Sequence, residues 1–356
     1  MSTEDKPVSL QGAVCPVPLR HYDAIVMGHG SGGRMTQELI KQCFAPYFTN
    51  PALDAGNDFA TLTTSINGPI SVSTDAHIVS PLIFPGGDIG RLAVCGTVND
   101  VAMSGAVPLG LTASFILEEG LSTHTLVEIV KSMAASALEA GIPVVAGDTK
   151  VVERGKADGL FISTAGFGHF PKKFTIGGAE AKPGDVVLIS GSLGDHGIAV
   201  LTARGDLAFE TQVESDVAPL NLMIQQILAA APNVHVLRDP TRGGLATTLN
   251  EIAEQSQVNI TIDEKTIPVK PAVQTACEML GFDPLYVANE GKLIVIVPET
   301  EADAALAAMR GNVYGTEACR IGRVSDAPAG RVLLKTQIGA TRVLDVMAGE
   351  MLPRIC

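Results

Sequence analysis

Residues 171–185, a stretch rich in glycine, lysine and proline, break the chain into two parts, and no other feature restricts the fold as much. On each side of the break, short apolar runs alternate with segments of helical period. The 356 residues are enough for two domains with separate cores. The expectation is an α/β protein of two layered domains, residues 21–170 and 186–332, with 171–185 as linker. Residues 1–20, which hold Cys15-Pro16-Val17-Pro18, read as an N-terminal extension too proline-rich for regular structure. Residues 333–356 read as a flexible tail ending in Cys356.

In the first part, residues 22–27 read as a short strand. It runs into Gly28-His29-Gly30-Ser31-Gly32-Gly33 and then a helix with Met35, Leu39, Ile40 and Cys43 on one face. Residues 70–74 read as a strand ending at Asp75. Residues 125–140 read as a helix, with a capping box at Thr125 and Glu128 and a stop at Gly141. Residues 143–146 and 160–167 read as core strands. In the second part, 186–190 and 293–297 read as strands and 219–230, 243–255 and 272–280 as helices. The uneven strand spacing favours two layered units over a strict doubly wound sheet.

Lys plus Arg number 25 against 38 for Asp plus Glu, a net charge of −13. Such a surface repels phosphate backbones and anionic lipid, which argues against nucleic acid and membrane as partners. A nucleotide would need a divalent cation to reverse the local sign. The first six residues lack the apolar core of a signal peptide, and no apolar run is long enough to span a bilayer. The six cysteines are scattered, with no CxxC pair and no zinc-type spacing, so the expected compartment is the reducing cytoplasm. Cys15, Cys43, Cys95, Cys277 and Cys319 read as packing thiols.

Three sets of residues carry candidate chemistry. Gly28, Gly30 and Gly33 fit GxGxxG, with Asp54 about twenty residues on. Pro46 and Pro51 stand where a dinucleotide fold needs its second strand, which argues against that fold. What remains is a glycine loop at a helix N-terminus, able to offer backbone N–H groups to phosphate, or a plain turn. The second set is Asp58, Asp75, Asp100 and Asp148, each following an apolar or small-residue stretch. Converging carboxylates suit magnesium held with substrate phosphates; singly, each is more often a cap or turn former. The third is Cys356. About ten extended residues span roughly 30 Å, so a thiol on such a tail can reach its own site and then a partner's, unless the tail is simply a frayed terminus.

Several longer segments occur together and in order. They are Phe84-Pro85-Gly86-Gly87-Asp88-Ile89-Gly90, Val98-Asn99-Asp100-Val101-Ala102-Met103-Ser104-Gly105-Ala106, Gly147-Asp148-Thr149-Lys150-Val151-Val152 and Gly194-Asp195-His196-Gly197. Arg238-Asp239-Pro240-Thr241-Arg242-Gly243-Gly244, Asn289-Glu290-Gly291-Lys292 and the ending Pro353-Arg354-Ile355-Cys356 complete them. From about His29 to Cys356 the chain thereby resembles the HypE family of hydrogenase maturation proteins. Aminoimidazole ribonucleotide synthetase, selenophosphate synthetase and thiamine monophosphate kinase share the ATP core of that family but lack the tail.

The resemblance implies the two-domain fold of the aminoimidazole ribonucleotide synthetase superfamily, a homodimer through the N-terminal sheets, and ATP and Mg2+ as cofactors. HypE-like proteins use ATP to dehydrate a carbamoyl group on their own C-terminal cysteine to a thiocyanate, the source of the cyanide ligands of the [NiFe]-hydrogenase iron. The carbamoyl group comes from the carbamoyltransferase HypF, and the cyano group passes to iron on the HypC–HypD complex. By this resemblance Cys356 is the carrier, Glu290 the general base, and Lys150 neutralises the γ-phosphate. Gly30, Ser31, Gly32, Gly33, Asn99, Asp100, Thr149 and Lys150 meet the nucleotide, and Asp58, Asp75, Asp100 and Asp148 the metal. His196 either bonds to the backbone or shuttles a proton, and Arg238 and Arg242 flank a turn suited to a domain interface. A small-molecule kinase of the same superfamily and a non-enzymatic carrier docking through its tail are the competing readings.

Overall fold

Two sheets, each backed by helices, divide the chain at the glycine- and lysine-rich segment. The structure is a computed structural model describing residues 23–55, 57, 59–64, 66–205, 212–346 and 354–356. Asp58, Cys15 and Pro353 lie outside the described residues. In the first half α1 (Arg34–Leu39) and α2 (Pro51–Asp54) precede strand β1 (Ile70–His77). A small hairpin, β2 (Ile83–Phe84) and β3 (Gly87–Asp88), leads into α3 (Ile89–Met103). Then come β4 (Val107–Glu118), α4 (Thr123–Ala140), β5 (Val144–Val152) and β6 (Leu160–His169).

The first sheet has the order β1-β6-β4-β5. Strands β4 and β5 run parallel, which requires the crossover that α4 provides, and β6 runs antiparallel to β4 and β1. The two-residue period of β1 turns Ser71, Ser73, Asp75 and His77 toward α3 and leaves Ile70, Val72, Thr74 and Ala76 on the outer face. Ile70, Val72 and Ile116 are exposed there.

In the second half β7 (Asp185–Ile189), α5 (Asp195–Ala203), α6 (Asn221–Ala230), β8 (Val236–Arg238), α7 (Gly244–Ser256) and β9 (Asn259–Asp263) follow in turn. The half closes with α8 (Pro271–Leu280), β10 (Ile294–Pro298), α9 (Glu299–Arg310), β11 (Cys319–Ser325), β12 (Arg331–Lys335) and β13 (Thr341–Val343). The sheet order is β13-β12-β9-β11-β7-β10-β8. Val187 and Ile189 of β7 point into a cluster with Leu245, Leu249 and Ile252 of α7, while Val186 and Leu188 point into one with Ile224 of α6 and Met309 of α9. A strand covered on both faces reads as a continuous apolar run, and β7 does.

The halves share one apolar cluster: α5 and α8 contribute Ile198, Val273 and Ala276 to the core built around α3 and α4. Polar clamps reinforce it. Asn99 Nδ2 donates to the Ala218 carbonyl at 3.0 Å, and Leu220 N–H donates to Asn99 Oδ1 at 2.7 Å. Asn221 reaches back to the Ala140 carbonyl at 2.8 Å.

Several details differ from the sequence reading. Of the segment read as the strand 22–27, the described residues from 23 on supply a single bridge, Ala24 with Ser122, before a short helical turn at Met27–Gly30. Asp75 lies inside β1 rather than at its end. Helix α4 starts after Ser122, so Thr125 sits within its first turn, while Gly141 closes it in the left-handed region at φ 74°. Residues 333–344, read as the start of the tail, enter the sheet as β12 and β13, and Leu344 is buried.

Asn99→Ala tests the interlock between the halves. It leaves a buried N–H and a buried carbonyl unpaired, so a loss of about 2–4 kcal/mol is expected in a urea unfolding series. A midpoint unchanged from wild type would show that the clamp is idle.

Candidate active site

Two periodicities bring the first pair of carboxylates together. Ser73 and Asp75 are two apart on β1, and Gly96 and Asp100 four apart on α3, so each pair shares one face of its element. Ser73 Oγ donates to Asp100 Oδ2 at 2.7 Å. A Cβ at Gly96 would stand 3.2 Å from both Asp75 Oδ2 and His77 Cε1, so glycine is what lets α3 approach this closely. Burial raises the Asp75 carboxyl, against the Ala76 N–H and the Arg242 charge. Burial also raises Asp100, and neighbouring Asp75 adds to it against the Ser73 hydrogen bond.

The second half supplies the opposite wall through residues 238–244 and 289–292. Asp239, open to the cleft on one side, is pushed up to about 7 by burial and then by Asp100. Glu290 is only 5% exposed and its Oε1 has no hydrogen-bond partner. Burial, then Asp239, Asp216, Asp75 and Asp100, hold its carboxyl well above the usual range. The turn carrying Glu290 is closely held. Asn289 accepts from Gly194 N–H at 2.8 Å and donates to the Pro240 carbonyl at 2.9 Å. Asp216 accepts from Glu290 N–H and Gly291 N–H and pairs with Lys292 at 3.1 Å. A Cβ at Gly291 would lie 1.7 Å from the Asp216 carbonyl oxygen, so only glycine fits. In this way Asp75, Asp100, Asp239 and Glu290 face one cleft.

Asp148 is elsewhere. In register Asp75 lies level with Thr164, Ala113 and Gly147, which places Asp148, one residue on, on the outer face of the sheet. With β1 and β5 at opposite edges, the two are about 14 Å apart across three strand spacings. Lys150 Nζ pairs with Asp148 at 2.6 Å and holds its carboxyl below the usual range. Both side chains are more than 60% exposed, so the pair contributes little stability and is open to rearrangement around a ligand. Beside them the glycine loop packs on β5: a Cβ at Gly30 would meet Val151 Cβ at 2.9 Å. Ser31 Oγ donates to the Gly28 carbonyl, and Gly32 N–H to Thr36 Oγ1. Between loop and strand is a cavity of about 330 Å³, floored by Ile40, Phe44 and Phe48 and rimmed by Gly30, Asp148 and Lys150. Thr149 lines it too. Asn99 is not in this cavity; its side chain is used up on residues 218–220. Gly33 caps the N-terminus of α1.

The tip of the chain is seated rather than loose. Ile78 N–H donates to the Cys356 carbonyl at 3.1 Å and Ser80 N–H to the Arg354 carbonyl at 3.3 Å, an antiparallel pairing that continues the line of β1. Ile355 is 4% exposed and belongs to the apolar cluster of α5 and α8. His196 Nε2 lies 2.6 Å from the Ile355 carbonyl, and Arg204 Nη2 donates to that of Arg354 at 2.9 Å. Arg354 sits in the left-handed region at φ 58° and pairs with Asp158. Cys356 is partly exposed, whereas Cys43, Cys95 and Cys277 are buried, and burial pushes the Cys95 thiol to about 12 and Cys277 to about 11. A thiol in that range is a poor nucleophile at neutral pH.

Sequence reasoning assigned no role to Asp239, Asp216, Lys292 or Gly96. Asp239 and Lys292 lie inside segments that carried the resemblance, and that was their one signal. No local pattern marks Gly96 or Asp216.

Two family descriptions match the chain: AIR synthase related protein, N-terminal domain, over residues 56–170, and AIR synthase related protein, C-terminal domain, over 182–335. The chain is 56% identical over 332 residues to the carbamoyl dehydratase HypE of Cupriavidus necator, covering 93% of this chain and 95% of that one. A crystal structure of a hydrogenase maturation protein HypE in complex with ATP is 49% identical with a TM-score of 0.89, covering 93% of this chain and 99% of that one. A HypE–HypF complex gives 48% and 0.76 over 88% of this chain and all of the other.

The cleft acids make stability depend on pH in a stated direction. Asp239 titrates near 7 when folded and near about 4 when unfolded, so the folded state holds the extra proton between those values. Its contribution is full below about 4 and is lost as pH rises through about 7. In the ligand-free protein Asp239→Asn should therefore flatten the fall of the urea midpoint between pH 5 and 8 and raise stability at pH 8. A variant that tracks wild type at every pH would contradict this.

Proposed function

The chain belongs to the HypE carbamoyl dehydratases of hydrogenase maturation, within the AIR synthase related proteins, and on that footing we propose that Cys356 carries the carbamoyl group that is dehydrated to a thiocyanate. This membership replaces the kinase and non-enzymatic carrier readings. The main support for Cys356 is its seat: its carbonyl is held by Ile78, three residues beyond Asp75 on the line of β1 and so about 10 Å from the carboxylate cleft.

Dehydration of S–C(=O)–NH2 moves the carbonyl oxygen to phosphate, removes two N–H protons and leaves S–C≡N. When bound, ATP with Mg2+ supplies the phosphoryl group that makes that oxygen a leaving group. Asp75 and Asp100 are the residues that would hold the cation: they are hard oxygen donors, burial raises both, and Asp75 raises Asp100 further. Among the described residues no three acidic, histidine or cysteine side chains close into a metal cage, which suits an ion that keeps waters and phosphate oxygens as ligands. Gly30 and Gly32 of the glycine loop, with Thr149, bound the nucleotide cavity, and Lys150, drawn off Asp148, meets phosphate charge. Glu290, buried and with an unpartnered oxygen, takes one N–H proton, and the second leaves with the departing phosphate. The enclosing halves keep water from the activated amide.

HypF, with which a relative was crystallised, supplies the carbamoyl group, and the HypC–HypD complex receives the cyano group. A second copy of this chain covers the outer face of the four-stranded sheet, where Ile70, Val72 and Ile116 are exposed. Asp148, which points to that face, then lies at the interface. No helix among the described residues is long and apolar enough to cross a membrane, and the cytoplasm is the proposed compartment.

Mass spectrometry of the C-terminal peptide, after incubation with carbamoyl phosphate, the cognate carbamoyltransferase and ATP, tests the scheme. Wild type should show an adduct on Cys356 lighter than the carbamoyl form by one water. Cys356→Ser should show none, and Glu290→Gln should stop at the carbamoyl stage with turnover down at least about 100-fold. An unmodified Cys356 in wild type rejects the carrier role.

A further inference from the structure

We infer that His196 is a positioning residue for this chemistry: by binding the Ile355 carbonyl it sets how the Cys356 thiol lies relative to the loop that carries Glu290. The functional consequence rests on the carrier role of Cys356 proposed above; the seat itself rests on geometry.

Both ring nitrogens of His196 are engaged and the residue is fully buried. Burial favours the neutral ring, which has a single N–H. The Ile355 carbonyl can only accept, so Nε2 carries the hydrogen and Nδ1 accepts from Ser215 Oγ at 2.8 Å. Ser215 is fixed in turn: its N–H donates to the Pro85 carbonyl at 2.8 Å, and Val217 N–H donates to its hydroxyl at 3.2 Å. The next residue, Asp216, holds Glu290 N–H, Gly291 N–H and Lys292. His196 thus joins the tail to the turn bearing Glu290 through one residue step.

The other contacts hold the tip from the opposite side. Ile78, Ser80 and Arg204 take the carbonyls of Cys356 and Arg354, and Arg204 also donates to the Ser80 carbonyl at 3.0 Å. They fix the tip along the line of β1, whereas the His196 bond fixes its approach to the second half. Departure of the tail would leave the Nε2–H buried without a partner, a state that favours return to the same register. Phe84, edge-on to the imidazole at 5.5 Å, keeps the ring from turning to another acceptor.

The test uses the whole protein and two readouts. First, without ATP, alkylation of Cys356 by iodoacetamide is followed on the C-terminal peptide. His196→Ala and His196→Phe should raise the rate about tenfold, the change that one buried hydrogen bond of ordinary strength supports. His196→Gln, whose side-chain amide can donate from nearly the Nε2 position, should restore protection. Second, single-turnover loss of water from the carbamoyl adduct should slow in His196→Phe and recover in His196→Gln, with the ATP dependence unchanged. Equal alkylation rates in wild type and His196→Phe, or protection restored by Phe and not by Gln, would reduce His196 to core packing and overturn the inference. If alkylation responds as expected while no adduct ever forms on wild-type Cys356, the seat stands and the carrier proposal falls.

Discussion

Because α3 is enclosed by the four-stranded sheet, by α4 and by the second half, every polar group on it has to find a partner inside the protein. Thirteen of its fifteen residues are buried, and Arg91, Thr97, Asn99 and Asp100 are the polar side chains among apolar and small ones. Asn99 is spent on the backbone of residues 218–220, which locks the second half against the helix. Asp100, one residue later, is turned by about 100° toward β1 and the cleft. The same enclosure that holds the halves together therefore presents a carboxylate to the space between them. Moving α3 away from β1 by the width of a methyl group would separate Asp75 from Asp100 and loosen the clamp at once.

The cleft is stable only as a compromise. Asp75, Asp100, Asp239 and Glu290 are all raised by burial, and each except Asp75 is raised further by the other acids. Asp216, in the same wall, is instead held below the usual range because Lys292 and the Glu290 N–H outweigh its burial. The contrast separates two jobs. Asp216 is a satisfied structural anion that shapes a turn, whereas the other four keep unmet demand for positive charge or protons. Unmet demand concentrated in a cleft is the signature of a site awaiting a charged ligand, and it also explains how Glu290 acquires a proton affinity suited to an amide N–H.

The sequence carried the two-unit division, the strands at the heart of each unit and the segments later found around the cleft. The first sheet's last strand, β6, ends at His169 and the second sheet's first, β7, begins at Asp185, and β7 and β10 read as strands because both faces of each are covered. Helix α3 was invisible for the converse reason: burial on every side removes the polar stripe by which a helix is recognised. Grouping of the acids was less legible. Asp75, Asp100 and Asp148 look alike in sequence, yet whether an acid faces α3 or the outer face depends on strand parity and register, which one sequence does not reveal. One residue of offset in β5 put Asp148 on the opposite side from Asp75. Asp239 follows an arginine and precedes a proline, a context that announces a turn and conceals a buried charge.

The tip of the chain shows why three residues can be held and still be usable. Its hold includes hydrogen bonds to its main chain from Ile78, Ser80, Arg204 and His196, the burial of one aliphatic side chain, Ile355, and the ion pair of Arg354 with Asp158. These contacts grip the main chain and the side chains of Arg354 and Ile355 rather than the sulfur. Against it stands Arg354 in the left-handed region, which costs a non-glycine residue about 1 kcal/mol and limits how tightly the tip is kept. A carrier that must be positioned for chemistry and then given up to a partner needs just such a balance: main-chain hydrogen bonds, one apolar anchor and one surface ion pair, with strain built into Arg354.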